Sequence, residues 1–99
     1  MTTDVAASAA PLEQLPIARE LEGGFFVVTT DSTMWLVDTR QRRFQRHGHD
    51  VAVQDALTFG TWQPYERAQW QAPDTFLIVP TRSRVLIRCE KARVCRPRL

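Results

Sequence analysis

The two histidines of the chain are the residues best suited to bind a metal ion. His47 and His49 flank Gly48, and a His-x-His pair on one strand face presents two imidazole ligands, with Asp50 or Asp55 as a third. The same residues are typical of an exposed turn, because glycine and aspartate favour turn conformations. We favour the turn and predict no metal site.

The two cysteines, Cys89 and Cys95, have five residues between them. Zinc knuckles place about two to four residues between their ligands, and no second Cys or His pair follows, so zinc binding is not expected. A turn within residues 90–94 would bring the cysteines within reach of a disulfide, although a reducing cytoplasm favours free thiols. The neighbouring arginines favour a thiolate.

No other residue pattern indicates catalysis. The chain lacks a glycine-rich phosphate loop, a dinucleotide-binding motif and a pair of carboxylates suited to acid–base chemistry. No serine or cysteine has the sequence context of an activated nucleophile. We therefore predict that the protein is not an enzyme and has neither catalytic residues nor a cofactor.

Positive charge is concentrated near the C-terminus. Residues 1–22 hold four acids and one base, whereas residues 82–99 hold one acid and seven bases, which are Arg82, Arg84, Arg88, Lys91, Arg93, Arg96 and Arg98. Such a surface can follow a nucleic-acid backbone, with Trp35, Trp62 or Trp70 stacking on bases if these rings are exposed. It can also bind an acidic protein surface, including the leader of another copy.

A structural explanation of the same residues stays open. Arg84 and Arg88 are typical of the solvated face of an amphipathic strand, and tryptophans in a small domain are typical of its core. The net charge is only +2, which is too small by itself to indicate a polyanionic partner.

The composition predicts a soluble cytoplasmic protein with no membrane partner. Residues 1–11 contain an acid, no base and no apolar run typical of a secretory signal. No segment approaches the roughly 18 apolar residues of a membrane span. Two cysteines are too few for a secreted disulfide framework.

Two antiparallel hairpins are predicted to position these residues. The first covers residues 25–46: its two leading strands are β-branched and aromatic, residues 31–33 form the turn, and residues 42–46 add a charged strand that lies at an edge or faces solvent. The second covers residues 75–89, with Arg82 and Ser83 at its tip. One of its faces is expected to pack and the other to be wet, and the alternation assigns Val85, Ile87 and Cys89 to the first face and Arg84, Leu86 and Arg88 to the second.

The segments between and after the hairpins are less regular. Residues 51–59 fit neither the helical nor the strand period, so both structures stay open. Pro64 restricts residues 60–70 to an edge strand or a bulge. Residues 92–95 have the length and composition of one more short strand.

The predicted fold is mainly β: a small antiparallel meander, barrel or sandwich of five to seven strands, formed by residues 23–99 as a single domain. Residues 1–22 are predicted to be a leader that is disordered, forms a short docking helix or docks as an extended arm. A domain of this size has a thin core.

The run from residue 28 to residue 38, followed by the basic residues 42–46, resembles the opening hairpin of short uncharacterised β-rich proteins from actinobacteria and their phages. Those proteins often have glycine in the turn, where this chain has Ser32 and Thr33. The resemblance implies a β fold and a possible source, with the host cytoplasm or the virion as location if the gene is a phage gene. It implies no activity and no site residue.

These observations predict a non-catalytic protein-interaction or accessory module, such as a regulator or assembly component, whose partner is another protein or a second copy. The alternative is a nucleic-acid-binding protein that uses the arginine-rich second hairpin and tail.

Overall fold

The part of the chain that the structure describes folds as one antiparallel sheet with a short helix. The computed structural model describes residues 19–83 and 85–97, so the predictions for residues 1–18, Arg84 and Arg98 lie outside the described residues. The seven strands have the order β6-β5-β4-β3-β2-β1-β7, which confirms the mainly β fold. The elements are β1 (Phe25–Thr29), β2 (Thr33–Asp38), β3 (Arg43–Gly48), α1 (Val53–Phe59), β4 (Gln63–Ala72), β5 (Thr75–Pro80), β6 (Ile87–Cys89) and β7 (Arg93–Cys95).

The first hairpin forms the centre of the fold. β1 and β2 pair along their whole length, and Thr30 N donates to Thr33 O at 2.9 Å to close the turn. All six residues of β2 are buried. Both faces of β2 are buried because the main core covers one of them and helix α1 covers the other.

Of the two alternatives predicted for the third strand, an edge strand or a solvent-facing strand, the first is wrong. β3 pairs with β2 along its whole length and with β4 at Arg43 and Phe44, so it lies inside the sheet. Its first arginine makes local contacts: Arg43 Nε donates to Asp38 Oδ2 at 3.0 Å, and its guanidinium lies 4.2 Å from the centroid of the Trp62 ring. The charge of Arg43 therefore serves contacts within the fold.

Residues 51–59, which show no clear period, contain helix α1. The helix has seven residues, and Ala56 is the one that is fully buried. Ala56 packs with Val27, Met34 and Leu36 in a small hydrophobic cluster separate from the main core. A single buried position in two turns is too short a pattern for the helical period to show in the sequence.

A buried glutamine fastens α1 to the sheet. Gln45 of β3 is 1% exposed. Its side-chain nitrogen donates to Ala56 O at 2.9 Å and to His47 Nε2 at 2.7 Å, and its side-chain oxygen accepts from Trp62 Nε1 at 3.1 Å. The backbone passes so close at Gly60 that a Cβ atom there would overlap the Gln45 amide and the Ala56 carbonyl oxygen.

Strand β4 joins the two halves of the sheet. Its first residues pair with β3 and the rest pair with β5, with register shifts between Tyr65 and Arg67 and between Trp70 and Ala72. Such irregularities bend a strand and increase its twist. The sheet is therefore curled, and both halves contribute to one core, which contains Val28, Trp35, Val37, Phe44, Tyr65, Ala68, Phe76, Ile78, Cys89 and Ala92.

β5 and β6 form the predicted second hairpin, with two corrections. β6 begins at Ile87, and Val85, which was predicted to face the core, is 69% exposed in the longer connection. The opposite face of the hairpin, which was predicted to face solvent, is not exposed to solvent at its centre. Leu77 is 0% exposed, and the side chain of Arg88, its partner across the strands, is 20% exposed. Alternation predicts which residues share a face, but it does not show which face water reaches.

Strand pairing holds both ends of the described chain. β7 pairs antiparallel with β1, which confirms the short strand predicted near residues 92–95. Residues 19–22, the described part of the predicted leader, lie along β4 and are called the arm below. In the arm, Leu21 N donates to Ala68 O at 2.9 Å, and Arg19 O accepts from Trp70 N at 2.9 Å.

Candidate binding groove

Part of the C-terminal positive charge lies at a groove between the turns of the sheet. The groove consists of two depressions of about 430 and 580 Å³. It is lined by the β1–β2 turn, by the β6–β7 turn and by Asp74 of the β4–β5 turn. Thr30, Asp31 and Lys91 line both depressions, so these form one surface, which we call the basic groove.

Trp35 and Arg46 form one side of the smaller depression. They lie directly opposite each other in the β2–β3 register, which places their side chains on the same face. The Arg46 guanidinium lies 5.5 Å from the centroid of the Trp35 ring. Arg46 is exposed, and its planar, weakly hydrated guanidinium suits bidentate binding of a carboxylate.

The β6–β7 turn supplies two more exposed cations, Lys91 and Arg93. Lys91 has a φ of 54°, in the left-handed region that a non-glycine residue adopts mainly in turns. Arg93 follows on β7, opposite Thr29 of β1. Ala92 N donates to Asp74 O at 2.7 Å and so fixes the turn against the β4–β5 connection.

Acidic and hydroxyl groups interrupt this positive surface. Arg88 Nε donates to Glu90 Oε2 at 3.0 Å within the smaller depression. Asp31 and Asp74 also line the groove, together with the hydroxyl residues Thr29, Thr30, Ser32 and Thr33. Charges of both signs at fixed positions suit a partner with a matching order of charges better than a uniform polyanion.

The basic groove contains three of the predicted interaction residues, Arg88, Lys91 and Arg93. Arg82 is exposed in the β5–β6 connection and does not line the groove. Arg84 and Arg98 lie outside the described residues.

Arg96, also predicted as an interaction residue, stabilises the start of the sheet instead. Its Nη1 donates to Gly23 O at 3.0 Å, and its guanidinium lies 4.5 Å from the centroid of the Phe26 ring. Gly23 has a φ of 100°, which glycine adopts without strain. Arg96 thus holds the glycine turn that leads into β1.

The three tryptophans predicted as stacking surfaces pack against other side chains of the fold, with Trp35 buried and Trp62 and Trp70 half-buried. Trp35 is 7% exposed. The Trp62 ring meets Phe25 edge to face at a centroid distance of 5.7 Å, and Trp70 meets Phe76 in the same way at 5.4 Å. Base stacking needs an open ring face, which the buried Trp35 does not offer.

The cysteines and histidines are not gathered into one site. Both cysteines are free thiols, with Cys89 buried and Cys95 exposed. Burial raises the pKa of Cys89 to about 12, so the thiolate expected from nearby arginines is wrong for this residue. His47 contacts Gln45, whereas His49 lines the larger depression. Within residues 19–83 and 85–97, no cluster of three or more His, Cys, Asp or Glu residues is arranged to hold a metal ion.

Arg46 is the groove residue that sequence reasoning missed. It lies far from the C-terminal cations in sequence and joins them only because the sheet is curled. The available signal was the pairing of the first hairpin with the basic strand. Extending that register places a cation opposite Trp35.

Comparison of the chain with protein-family models, curated proteins and solved structures found no match. The resemblance to actinobacterial and phage proteins therefore stays a prediction. Among the described residues, no helix has the length and apolar character needed to cross a membrane.

Proposed function

We propose that the protein is a non-catalytic interaction module that holds an acidic segment of a protein partner in the basic groove. The observation that carries this proposal is the meeting of Arg46, Lys91 and Arg93, which come from different parts of the chain, around one groove. Such a module would act as a regulator or as an assembly component. The proposal places the protein in the cytoplasm, where the free thiols of Cys89 and Cys95 persist.

The shape of the groove favours an extended peptide. Two joined depressions of about 430 and 580 Å³ each have room for a few side chains. Their charged and hydroxyl lining suits carboxylate side chains and peptide groups, which hydrogen-bond to arginine and to hydroxyls. Arg46 and Arg93 would bind carboxylates, and Asp31 would meet a basic or amide side chain of the same segment.

Nucleic-acid binding is the competing function, and it is supported by the cations that residues 82–99 carry in excess of their one acid. Two observations favour the peptide. Acidic residues interrupt the groove, and Trp35, the tryptophan that lines it, is buried. A nucleic-acid surface would present a more uniform positive charge and open aromatic faces.

The experiment compares a fluorescent Asp/Glu-rich peptide with a fluorescent oligothymidylate as probes for the full chain. The test variant is Lys91→Glu with Arg93→Glu. The control variant is Arg82→Glu, which reverses an exposed charge in the same region but outside the groove. We expect the test variant to weaken peptide binding by about tenfold or more, which is about 1.4 kcal/mol, and the control to leave it unchanged.

Two results would overturn the proposal. One is peptide binding that is equal in the parent protein and the test variant. The other is oligothymidylate binding tighter than peptide binding, reduced equally by all these charge reversals and steeply weakened by salt. The second result would support the nucleic-acid function.

A further inference from the structure

The outward face of the second hairpin is buried, although its central residue Leu77 lies outside both hydrophobic clusters of the described residues. Leu77 is 0% exposed, and its neighbours on this face, Gln69 and Thr75, are 4% and 6% exposed. Across the β5–β6 pairing, Leu77 lies opposite Arg88. We call these four residues the Leu77 face.

Neither hydrophobic cluster of the described residues explains this burial. The main core takes Phe76 and Ile78, which point to the opposite side of β5. Helix α1 packs on Val27, Met34 and Leu36 of the other half of the sheet, and Leu77 belongs to neither hydrophobic cluster of the described chain. Gln69 Nε2 is buried and finds no acceptor among the described residues. A further piece of protein over this face would explain both its burial and the unpaired Gln69 nitrogen.

The arm ends next to the Leu77 face. Glu20 lies opposite Gln69 of β4, and Gln69 lies opposite Leu77 of β5. Two strand spacings, about 10 Å, therefore separate the arm from the strand that carries Leu77. Residues 1–18 join the arm at Arg19, which is bonded to Trp70.

The sequence before the arm offers the apolar side chains and hydrogen-bond acceptors that would cover this face. Residues 12–17 contain Leu12, Leu15 and Ile17. Five extended residues span on the order of 15 Å, so Leu15 can reach Leu77 from Glu20. The backbone carbonyls of such a segment can accept from the buried amide of Gln69.

We propose that residues 12–17 dock on the Leu77 face of their own chain, with Leu15 and Ile17 covering Leu77. This docking is independent of what the basic groove binds. It borders the groove, because Arg88 belongs to the Leu77 face and also lines the smaller depression. In this arrangement residues 12–17 are a structural part of the domain and lie next to the basic groove.

The first test uses the unaltered full chain. Nuclear Overhauser effects (NOEs) are measured by NMR between the methyl groups of Leu77 and those of Leu12, Leu15 and Ile17. We expect such contacts, and they should persist on dilution. A Leu77 methyl without any contact to residues 12–17 overturns the proposal. Contacts seen only between differently labelled copies in a mixed sample would assign the face to a second copy and would also overturn it.

The second test measures labelling of a thiol placed on the face. In a Cys95→Ser background, Leu77→Cys is treated with a thiol reagent, and mass spectrometry separates its labelling from that of Cys89. Adding Leu15→Asp and Ile17→Asp should accelerate labelling at position 77 by about tenfold or more, since it removes the cover. The matched control adds Ala6→Asp and Ala9→Asp, with the same charge change outside residues 12–17, and should leave the rate unchanged. Equal rates in the two double-aspartate proteins overturn the proposal.

Discussion

The buried thiol of Cys89 should make the fold less stable at alkaline pH. Cys89 is 3% exposed and belongs to the main core. Burial raises its pKa from 9.0 to about 12. Between these values the thiol of the unfolded chain has ionised, whereas the folded thiol keeps its proton. The folded state then binds more protons than the unfolded state, so the free energy of unfolding falls as the pH rises.

The size of the effect follows from the two pKa values. At about pH 8 both states are mostly protonated, and the contribution is close to zero. At about pH 10 the unfolded thiol is about ten parts ionised to one part protonated, whereas the folded thiol is still protonated. The loss is then about 1.4 kcal/mol, because one pKa unit corresponds to about 1.4 kcal/mol. This is a large part of the stability of a domain of this size.

Urea unfolding at about pH 8 and about pH 10, followed by tryptophan fluorescence, measures this loss. Cys89→Ala removes the titrating group, so its stability should fall by about 1.4 kcal/mol less than that of the parent between the two pH values. Cys95→Ala, at the exposed thiol, should follow the parent. Burial also raises the pKa of Tyr65, but that residue is common to all three proteins and cancels in the comparison. Parallel loss in the parent and in Cys89→Ala would refute the reasoning.

Three substitutions test other contacts, each by urea unfolding at neutral pH. Gly60→Ala should lower the free energy of unfolding by about 1–3 kcal/mol, because its Cβ meets the buried Gln45 amide that holds α1. The control Gly48→Ala meets only the flexible end of a side chain and should lower it by less than about 1 kcal/mol. Equal losses would contradict the close approach at Gly60. Arg96→Ala should lower the free energy of unfolding by about 1 kcal/mol, because it removes the hydrogen bond to the Gly23 carbonyl and the contact with the Phe26 ring. The control Arg93→Ala, at an exposed residue, should lower it by less than about 0.5 kcal/mol. Unchanged stability of Arg96→Ala would show that these contacts add nothing. Asp38→Ala should cost about 2 kcal/mol, since its carboxylate accepts two backbone N–H groups and one arginine bond, and a loss below about 0.5 kcal/mol would argue against this role.

The sequence predicts the strands well where side chains alternate or are uniformly apolar. Both hairpins and the last short strand follow from such patterns. It fails where the deciding contact comes from a distant part of the chain. The charge on Arg43 suggests an edge strand, yet Trp62 packs on its guanidinium and Pro64 of β4 pairs with it, so the residue lies inside the sheet.

The groove is only partly predictable for the same reason. The C-terminal cations are visible as a cluster in the sequence. In the fold, however, Arg96 follows strand β7 and packs on Phe26 outside the groove, whereas the curl of the sheet places Arg46 in the groove. The face assignment of the second hairpin fails differently. Alternation places Leu77 and Arg88 together, but it contains no information about what packs over them.

The pairing of β7 with β1 sets the order in which this domain can be completed during synthesis. β1 is among the first strands to leave the ribosome, yet one of its two edges stays unpaired until β7, the last strand, has been made. Contacts between such distant segments form slowly, because a long loop has to close before they contribute stability. Until then Val27, Val28 and Thr29 present an unpaired strand edge that can pair with another nascent chain. A chaperone that binds extended apolar segments would therefore find a target in β1.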